Sequence, residues 1–260
     1  MAKTKPYSVL QIGLKYIKYK WRAVNKHAVH SPRIFEFADK VLPSANKQKY
    51  KEAEKERKRL KKSKQVLDFV DYGKSGTIVV KAVSEIAKKS LKPPIYARLL
   101  GKIVDYYEAT NVLELGASLG ITTAYLAQNK SVAVTTLEGD SSVANIAQSV
   151  WNQLGHTNIS CIIGPFEKTL DKAITQQYDI IYIDGNHKLE PTLRYFDQLQ
   201  IAAHSGTIFI FDDIHYSKQM EQAWQQIKED ERVTSTIDLF FIGVVFIDPA
   251  LSKEHLELRY

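Results

Sequence analysis

Cysteine and long apolar runs are scarce in this chain of 260 residues. The single cysteine, Cys161, excludes an internal disulfide bond, and its apolar surroundings predict a buried strand residue. No apolar run approaches a membrane span, and lysines at positions 15, 18 and 20 interrupt the first stretch that could serve as a signal-peptide core. With 44% hydrophobic and 25% charged residues, the composition is that of a globular protein. We therefore expect a cytoplasmic protein with a sizeable core.

Acidic residues are few in the first 110 positions, which contain 26 lysines and arginines but only 10 aspartates and glutamates. The remaining 150 positions have the opposite balance, with 10 basic and 19 acidic residues. The segment 47–64 alone holds 10 basic and 3 acidic residues. Such a run is more often a solvated helix face than a nucleic-acid surface, and here only Tyr50 adds an aromatic side chain. Nucleic-acid binding is therefore the weaker interpretation of the basic half.

Residues 1–94 are predicted to form a basic, helical N-terminal region. In the first helix, Leu10, Leu14, Ile17 and Trp21 recur at the spacing of one helix face. Helices are predicted over 7–25, 32–42, 46–68, 79–89 and 94–107. We expect the region to act as a lid or a dimer surface, so that a homodimer is one expected assembly. Membrane contact through Trp21 and the nearby lysines is the alternative.

From residue 111 onward, short apolar runs alternate with helical segments, which is typical of βαβ units. The first five runs are rich in Val, Ile and Phe, as in parallel strands covered on both faces. The last two follow each other without room for a crossover helix, so they must be antiparallel neighbours. The predicted strands lie at 112–115, 132–138, 159–164, 179–184, 207–212, 234–240 and 242–247. Residues 95–260 are therefore predicted to form one α/β domain.

A glycine-rich turn separates the first of these strands from the helix that follows it. Positions 114–122 read Glu-Leu-Gly-Ala-Ser-Leu-Gly-Ile-Thr, and their glycines allow a tight turn and a close approach to a ligand. The dinucleotide fingerprint needs glycine at Ser118, so the turn favours a cofactor without a pyrophosphate. Glu138 ends the second strand, 18 residues beyond Gly120. A carboxylate there can accept hydrogen bonds from both hydroxyls of a cofactor ribose. The alternative for Glu138 is an ordinary charged strand end.

Aspartates end the fourth and fifth strands, at Asp184 and at Asp212-Asp213. The carboxyl ends of neighbouring central strands meet at the edge where open α/β sheets bind ligands. Three carboxylates there would repel one another without a cation, whereas Mg²⁺ prefers oxygen ligands. The alternative is that one aspartate of the pair caps the next helix and the other contacts the cofactor.

Taken together, these features resemble the class I S-adenosylmethionine-dependent methyltransferases. The resemblance covers roughly the last 165 residues. It implies a Rossmann-like, seven-stranded methyltransferase sheet in the order 3-2-1-4-5-7-6, with the seventh strand antiparallel. The cofactor-binding residues it implies are Glu114, Gly116, Ser118, Gly120, Thr122, Glu138, Gly164, Phe166 and Asp184. Gly164 and Phe166 fall where the family packs the adenine ring, although Phe166 could equally be a core residue at a helix start.

The aspartates also resemble, more narrowly, those of metal-dependent O-methyltransferases of the catechol type and of macrolide and aminocoumarin sugar pathways. That resemblance implies Mg²⁺ bound by Asp184, Asp212 and Asp213. The catechol branch has asparagine at the place of Asp213, so the match is closer to the sugar-modifying branch. His187 stands three residues after Asp184, where the catechol enzymes carry a lysine base and some sugar enzymes a histidine, which implies a general base. The alternative is a polar loop residue facing solvent.

The resemblance implies an enzyme that methylates a small-molecule hydroxyl with S-adenosylmethionine and Mg²⁺. One alternative is an RNA methyltransferase guided by the basic half. It is weakened because no Asn-Pro-Pro-Tyr motif follows the fourth strand, as base N-methyltransferases would show. The other alternative is a non-catalytic, cofactor-binding scaffold that retains the fold.

Overall fold

The computed structural model describes residues 5–43, 46–73 and 76–260. The chain forms two compact units: the first unit comprises Met1–Pro43 with Asp179–Tyr260, and the second unit is Ser44–Tyr178. The helices are α1 (Val9–Arg22), α2 (Pro32–Glu36), α3 (Lys51–Leu60), α4 (Val83–Ser90), α5 (Pro94–Tyr106), α6 (Ile121–Leu126), α7 (Ser141–Gln153), α8 (Phe166–Ala173), α9 (Leu189–Leu199) and α10 (Lys218–Glu229). The strands are β1 (Val66–Val70), β2 (Ile78–Ala82), β3 (Asn111–Leu115), β4 (Ala133–Glu138), β5 (Ile159–Ile163), β6 (Tyr178–Ile183), β7 (Ala203–Asp212), β8 (Ser235–Asp238), β9 (Ile242–Phe246) and β10 (Glu254–Glu257). Turns of 3-10 helix lie at Lys26–Ala28, Lys47–Tyr50 and Gln200–Ala202, and a π-helical turn lies at Phe37–Val41.

The larger sheet confirms the predicted α/β fold and has eight strands rather than seven. Its order is β10-β8-β9-β7-β6-β3-β4-β5, which from the β5 edge gives 3-2-1-4-5-7-6 for the seven predicted strands. β9 runs antiparallel to both β7 and β8, as the short connection between the last two strands predicts. The additional strand, β10, pairs in parallel with β8. Its four residues, Glu-His-Leu-Glu, are too few to give a recognisable period.

In the second unit, β3, β4 and β5 are parallel neighbours covered by helices. Trp151 of α7 is fully buried, and its indole N–H donates to the carbonyl oxygen of Gly120 at 2.8 Å. A Cβ at Gly120 would lie 2.6 Å from that indole nitrogen, and the residue has φ +77°. Close packing and a left-handed backbone therefore both require glycine at the start of α6.

Residues 46–94 of the second unit differ from the predicted, mostly helical structure. α3 ends at Leu60, and β1 and β2 then form an antiparallel hairpin before α4 begins at Val83. The predicted helices over 46–68 and 79–89 are therefore wrong at 66–68 and 79–82, which lie in β1 and β2. The β-branched run Ile-Val-Val at 78–80 and the glycines of the connection are hairpin signals that outweigh the short helical period.

The lysine-rich α3 has one solvated face and one buried face. Arg57 is buried, and its guanidinium donates to the carbonyl oxygen of Lys92 at 2.6 Å. On the exposed side, Lys55 pairs with a glutamate three residues earlier at 2.8 Å. Tyr50, just before the helix, is also buried and stacks on Tyr125 with ring centroids 4.5 Å apart. The segment thus has the character of an amphipathic helix, with its aromatic residue in the core.

In the first unit, α1 packs on the C-terminal part of the chain. A capping box begins the helix, because the Ser8 hydroxyl accepts the Gln11 N–H and the Gln11 side chain accepts the Ser8 N–H. Tyr19 is buried with Ala23 against Phe240. The stripe that predicted this helix lies on another face and is exposed, so the packing uses residues that the stripe did not include. No helix among the described residues is long and apolar enough to cross a membrane.

Candidate active site

The turn after β3, in the second unit, has an unusual backbone. Gly116, Ser118 and Gly120 all have positive φ angles, of 105°, 47° and 77°. Ser118 carries a side chain in a conformation that few non-glycine residues adopt, and such strain clusters at ligand sites. Its backbone N–H donates to a carboxylate oxygen of Glu138 at 2.8 Å. The turn and the end of β4, predicted separately, are thus in direct contact.

Glu138 is held by backbone donors. Besides the Ser118 N–H, its carboxylate accepts the N–H of Asp140 at 3.2 Å. Burial raises the pKa of Glu138 to about 7, against the lowering effect of the backbone hydrogen bonds from Asp140, Ser118 and Gly139. A half-buried carboxylate beside a strained turn can accept ligand hydroxyls when it is ionised.

Glu114 and Thr122 lie deeper than the turn. Glu114 is fully buried on β3, and one of its carboxylate oxygens accepts the hydroxyls of Thr123 at 2.6 Å and Thr136 at 2.7 Å. Thr122 is buried in α6. Glu114 therefore joins β3 to α6 and β4, and cofactor contact by Glu114 or Thr122 stays a prediction.

Gly164 and Phe166 follow β5. Gly164 has φ +139°, which favours glycine, and its N–H donates to the backbone carbonyl oxygen of Glu138 at 2.8 Å. Phe166 is the first residue of α8 and is partly exposed. The structure brings Gly164 to the end of β4 beside Glu138, and adenine contact by either residue stays a prediction.

The hairpin and the end of α4 contribute residues that sequence reasoning missed. The hydroxyl oxygens of Ser90 and Ser118 lie 3.0 Å apart. A Cβ at Gly139 would lie 2.7 Å from the ring of Tyr72, which places this hairpin residue against the end of β4. The N–H of Val70 donates to the Asp140 carboxylate at 2.9 Å. No local pattern could reveal these contacts, because tertiary packing alone brings the segments together.

In the first unit, Asp184, His187 and Asp212 form a compact cluster. Each offers a ligand atom, and the three atoms lie within 4.8 Å of one another. The His187 Nε2 is 3.6 Å from a carboxylate oxygen of Asp184, and the Tyr182 hydroxyl donates to the other at 2.8 Å. Asp212 is buried at the end of β7, whereas Asp184 and His187 are half-buried. Two carboxylates and an imidazole are a donor set that fits a divalent cation.

Asp213 follows this cluster without joining it. It has a left-handed backbone with φ 52°, and its N–H donates to the carbonyl oxygen of Phe241 at 2.7 Å. Asn186, in the loop after β6, has the same φ of 52°. The structure therefore brings together two of the three predicted aspartates, with His187 beside them. A metal-ligand role for Asp213 stays a prediction.

His215, in the loop after β7, forms a hydrogen-bond network that the sequence did not predict. Its two ring nitrogens contact Glu221 at 3.1 Å and Asp238 at 2.8 Å, and its ring stacks on Phe240. Burial opposes its charge, but the hydrogen bonds to Asp238 and Glu221 raise the pKa of His215 to about 9. A histidine that keeps its proton at neutral pH cannot accept another, so His215 is unsuited to the role of general base.

This network connects α1 to the loop. Glu221 accepts the Tyr7 hydroxyl at 2.7 Å and the Lys15 ammonium at 2.9 Å. The Tyr7 N–H donates to the carbonyl oxygen of Tyr216 at 3.0 Å, and the Tyr216 ring lies 5.7 Å from that of His187. The N-terminal segment therefore helps to position an aromatic side chain beside the acidic cluster.

Comparison with known proteins shows what part of the chain resembles. Residues 113–214 match a protein-family model described as a methyltransferase domain. With the strand order, this confirms the predicted resemblance to the class I S-adenosylmethionine-dependent methyltransferases.

Solved structures share the fold at low identity. An O-methyltransferase from Bacillus cereus in complex with SAH is 18% identical, covers 81% of this chain and 94% of its own length, and has a TM-score of 0.57. A putative caffeoyl-CoA O-methyltransferase from Staphylococcus aureus is 13% identical over 63% of this chain and 88% of its own, also at 0.57. The O-methyltransferase TomG from Streptomyces achromogenes, involved in tomaymycin synthesis and bound to SAM, is 16% identical over 61% and 82%, at 0.53. Among proteins with curated descriptions, none matches the sequence.

Proposed function

We propose that this enzyme transfers the methyl group of S-adenosylmethionine to a hydroxyl group of a small molecule. The proposed reaction uses a divalent cation, which we propose is Mg²⁺. The observation that carries the proposal is the cluster of Asp184, His187 and Asp212, whose ligand atoms lie within 4.8 Å of one another. Asp184 and Asp212 are the proposed cation ligands, with Asp213 as the third. When bound, the cation would lower the pKa of a coordinated acceptor hydroxyl.

The proposed cofactor site is the turn from Gly116 to Gly120 together with Glu138. The support is the pair of backbone donors that already hold the Glu138 carboxylate, one of them in the turn itself. In its ionised form this carboxylate can accept the two ribose hydroxyls as charge-assisted hydrogen bonds. Gly164 is the proposed neighbour of the adenine ring, because its N–H is bonded to the backbone of Glu138.

His187 is the proposed general base. Methyl transfer from a sulfonium is an in-line displacement, so the acceptor oxygen has to be held near the methyl carbon and has to lose its proton. An imidazole can take that proton near neutral pH. Its half-buried position, with Nε2 3.6 Å from a carboxylate oxygen of Asp184, supports this role, because it places the imidazole beside the proposed cation ligands.

The proposal is tested by incubating the protein with S-adenosylmethionine and a panel of sugars and catechols, and by measuring the demethylated cofactor. We expect turnover that disappears with a chelator and returns with Mg²⁺ or Mn²⁺. Full turnover in the presence of chelator would show that the reaction does not need a cation. Methylation of RNA but of no small hydroxyl would instead favour the RNA methyltransferase.

His187→Ala separates the base from a cation ligand. A positioned base contributes about 10²–10⁴-fold to turnover, so turnover of the variant should fall by about that factor. Its affinity for Mn²⁺, measured by calorimetry, should stay unchanged. His204→Ala is the matched control, because His204 also pairs with an aspartate, at 3.2 Å, but lies outside the cluster. A large loss of Mn²⁺ affinity in His187→Ala would make His187 a ligand instead.

A further inference from the structure

The helix α1 has two apolar faces, and the described residues of the chain pack against one of them. Ile12, Tyr16 and Tyr19 contact the C-terminal part of the chain around Phe240. On the other side, the exposed apolar face of α1 consists of four side chains within an arc of about 60° at 3.6 residues per turn. They are Leu10, Leu14, Ile17 and Trp21, which are 73%, 60%, 55% and 86% exposed.

This face has no structural role within the described chain. The helix is already held by its capping box and by the Tyr19 cluster. Isolated exposed apolar side chains are ordinary, but a contiguous group of large ones on a regular element marks an interaction surface. The exposed apolar face of α1 is therefore a docking surface for something outside the chain.

The charge around the face identifies the partner. Residues 1–35 contain eight lysines and arginines and no aspartate or glutamate, and four of these cations pair with acidic side chains outside the segment. Lys18 is exposed at the edge of the apolar face, and Lys5 is exposed just before the helix. Trp21, at the end of the face, is of the residue type that is favoured at a membrane–water boundary. Apolar side chains flanked by cations are the pattern of helices that lie in the headgroup region of anionic bilayers.

We propose that the exposed apolar face of α1 docks the protein on an anionic membrane surface, with the helix lying parallel to the bilayer. A second copy of the chain fits less well, because a two-fold contact would be flanked by the exposed Lys18 of both copies and by no acidic side chain of residues 1–35. The helix would carry the first unit with it, since Tyr7 and Lys15 bond to Glu221 and Val24 bridges to Leu258.

Vesicle flotation tests the proposal independently of any methyl transfer. The wild-type protein should float with vesicles of phosphatidylcholine and phosphatidylglycerol, much less with phosphatidylcholine alone, and less again at high salt. Replacing both Leu14 and Ile17 by serine should weaken binding about a hundredfold, because each buried side chain contributes about tenfold. Ile201→Ser is the matched control, because Ile201 is 78% exposed but lies outside α1, and it should bind like the wild type.

Trp21 supplies a second readout, because Trp151 and Trp224 are buried. Its fluorescence should shift to the blue when anionic vesicles are added, and circular dichroism should show that the double variant keeps its fold. A wild-type protein that stays in the aqueous fraction with both vesicles overturns the proposal. Equal vesicle binding by the wild type and the double variant also overturns it. So does a wild-type dimer in solution that the double variant fails to form, because that result would assign the face to a second copy.

Discussion

Two half-buried carboxylates, one in each compact unit, show how differently similar groups can be held. Glu138 contacts backbone N–H groups, and burial raises its pKa to about 7. Burial also disfavours the charge of Glu221, but hydrogen bonds from His215, Lys15 and Tyr7 outweigh burial and lower its pKa to about 2. The two pKa values differ because Glu138 is buried more deeply and is held by neutral N–H groups, whereas Glu221 contacts cationic partners. Glu221 is thus a permanent anion that joins segments, whereas Glu138 gains and loses its proton near neutral pH, as suits a group that meets a ligand.

The strongest way to break this comparison is to remove Glu221. Glu221→Ala leaves the charged His215 and Lys15 without their common partner, and we expect a loss of about 3 kcal/mol in the free energy of unfolding. Denaturant unfolding at pH 7 measures it. Glu190→Ala is the matched control, because Glu190 forms an exposed pair with Arg194 and should change stability by less than about 1 kcal/mol. Equal stability of the two variants would show that the network does not hold the N-terminal segment.

The second prediction concerns the ligand side. Glu138→Ala should weaken the binding of S-adenosylhomocysteine by about 1.5–3 kcal/mol, or roughly 10–100-fold, because a charge-assisted hydrogen bond to the ribose is lost. Calorimetry measures the affinity. Glu167→Ala serves as the control, because Glu167 is an exposed residue of α8. Wild-type affinity in Glu138→Ala would rule out the ribose assignment.

The smallest effect sharpens the comparison through pH. The pKa of Glu138 in the free protein is about 7, and the ionised form is the one that accepts hydroxyl donors. Affinity for S-adenosylhomocysteine should therefore rise with pH through 7, by about tenfold between pH 6 and pH 8. Glu138→Gln cannot ionise, so its affinity should be the same at both values. A wild-type affinity that is flat over this range, or that falls, would contradict the assignment.

Most of the α/β sheet was predictable because its signals are local. Each parallel strand is a short apolar run, and each crossover helix lies between two runs, so the strand order followed from the family that they resemble. The turn at 116–120 was likewise visible, since a tight strand-to-helix junction needs glycine at particular positions. Residues 66–68 and 79–82 were mistaken for helix, because a two-stranded hairpin depends on cross-strand partners that a helical window does not contain.

The amino-acid sequence by itself determined the class of fold, the glycine-rich turn and the strand ends at which Glu138, Asp184 and Asp212 stand. These features depend on backbone conformation and on runs of a few residues, which the chain encodes locally. Tertiary structure alone decided which face of α1 is buried, because periodicity defines a stripe but not its partner. It also decided that His215 is held between Glu221 and Asp238, and that His187 rather than Asp213 joins the acidic cluster. Those distances depend on loop conformations that no sequence spacing specifies.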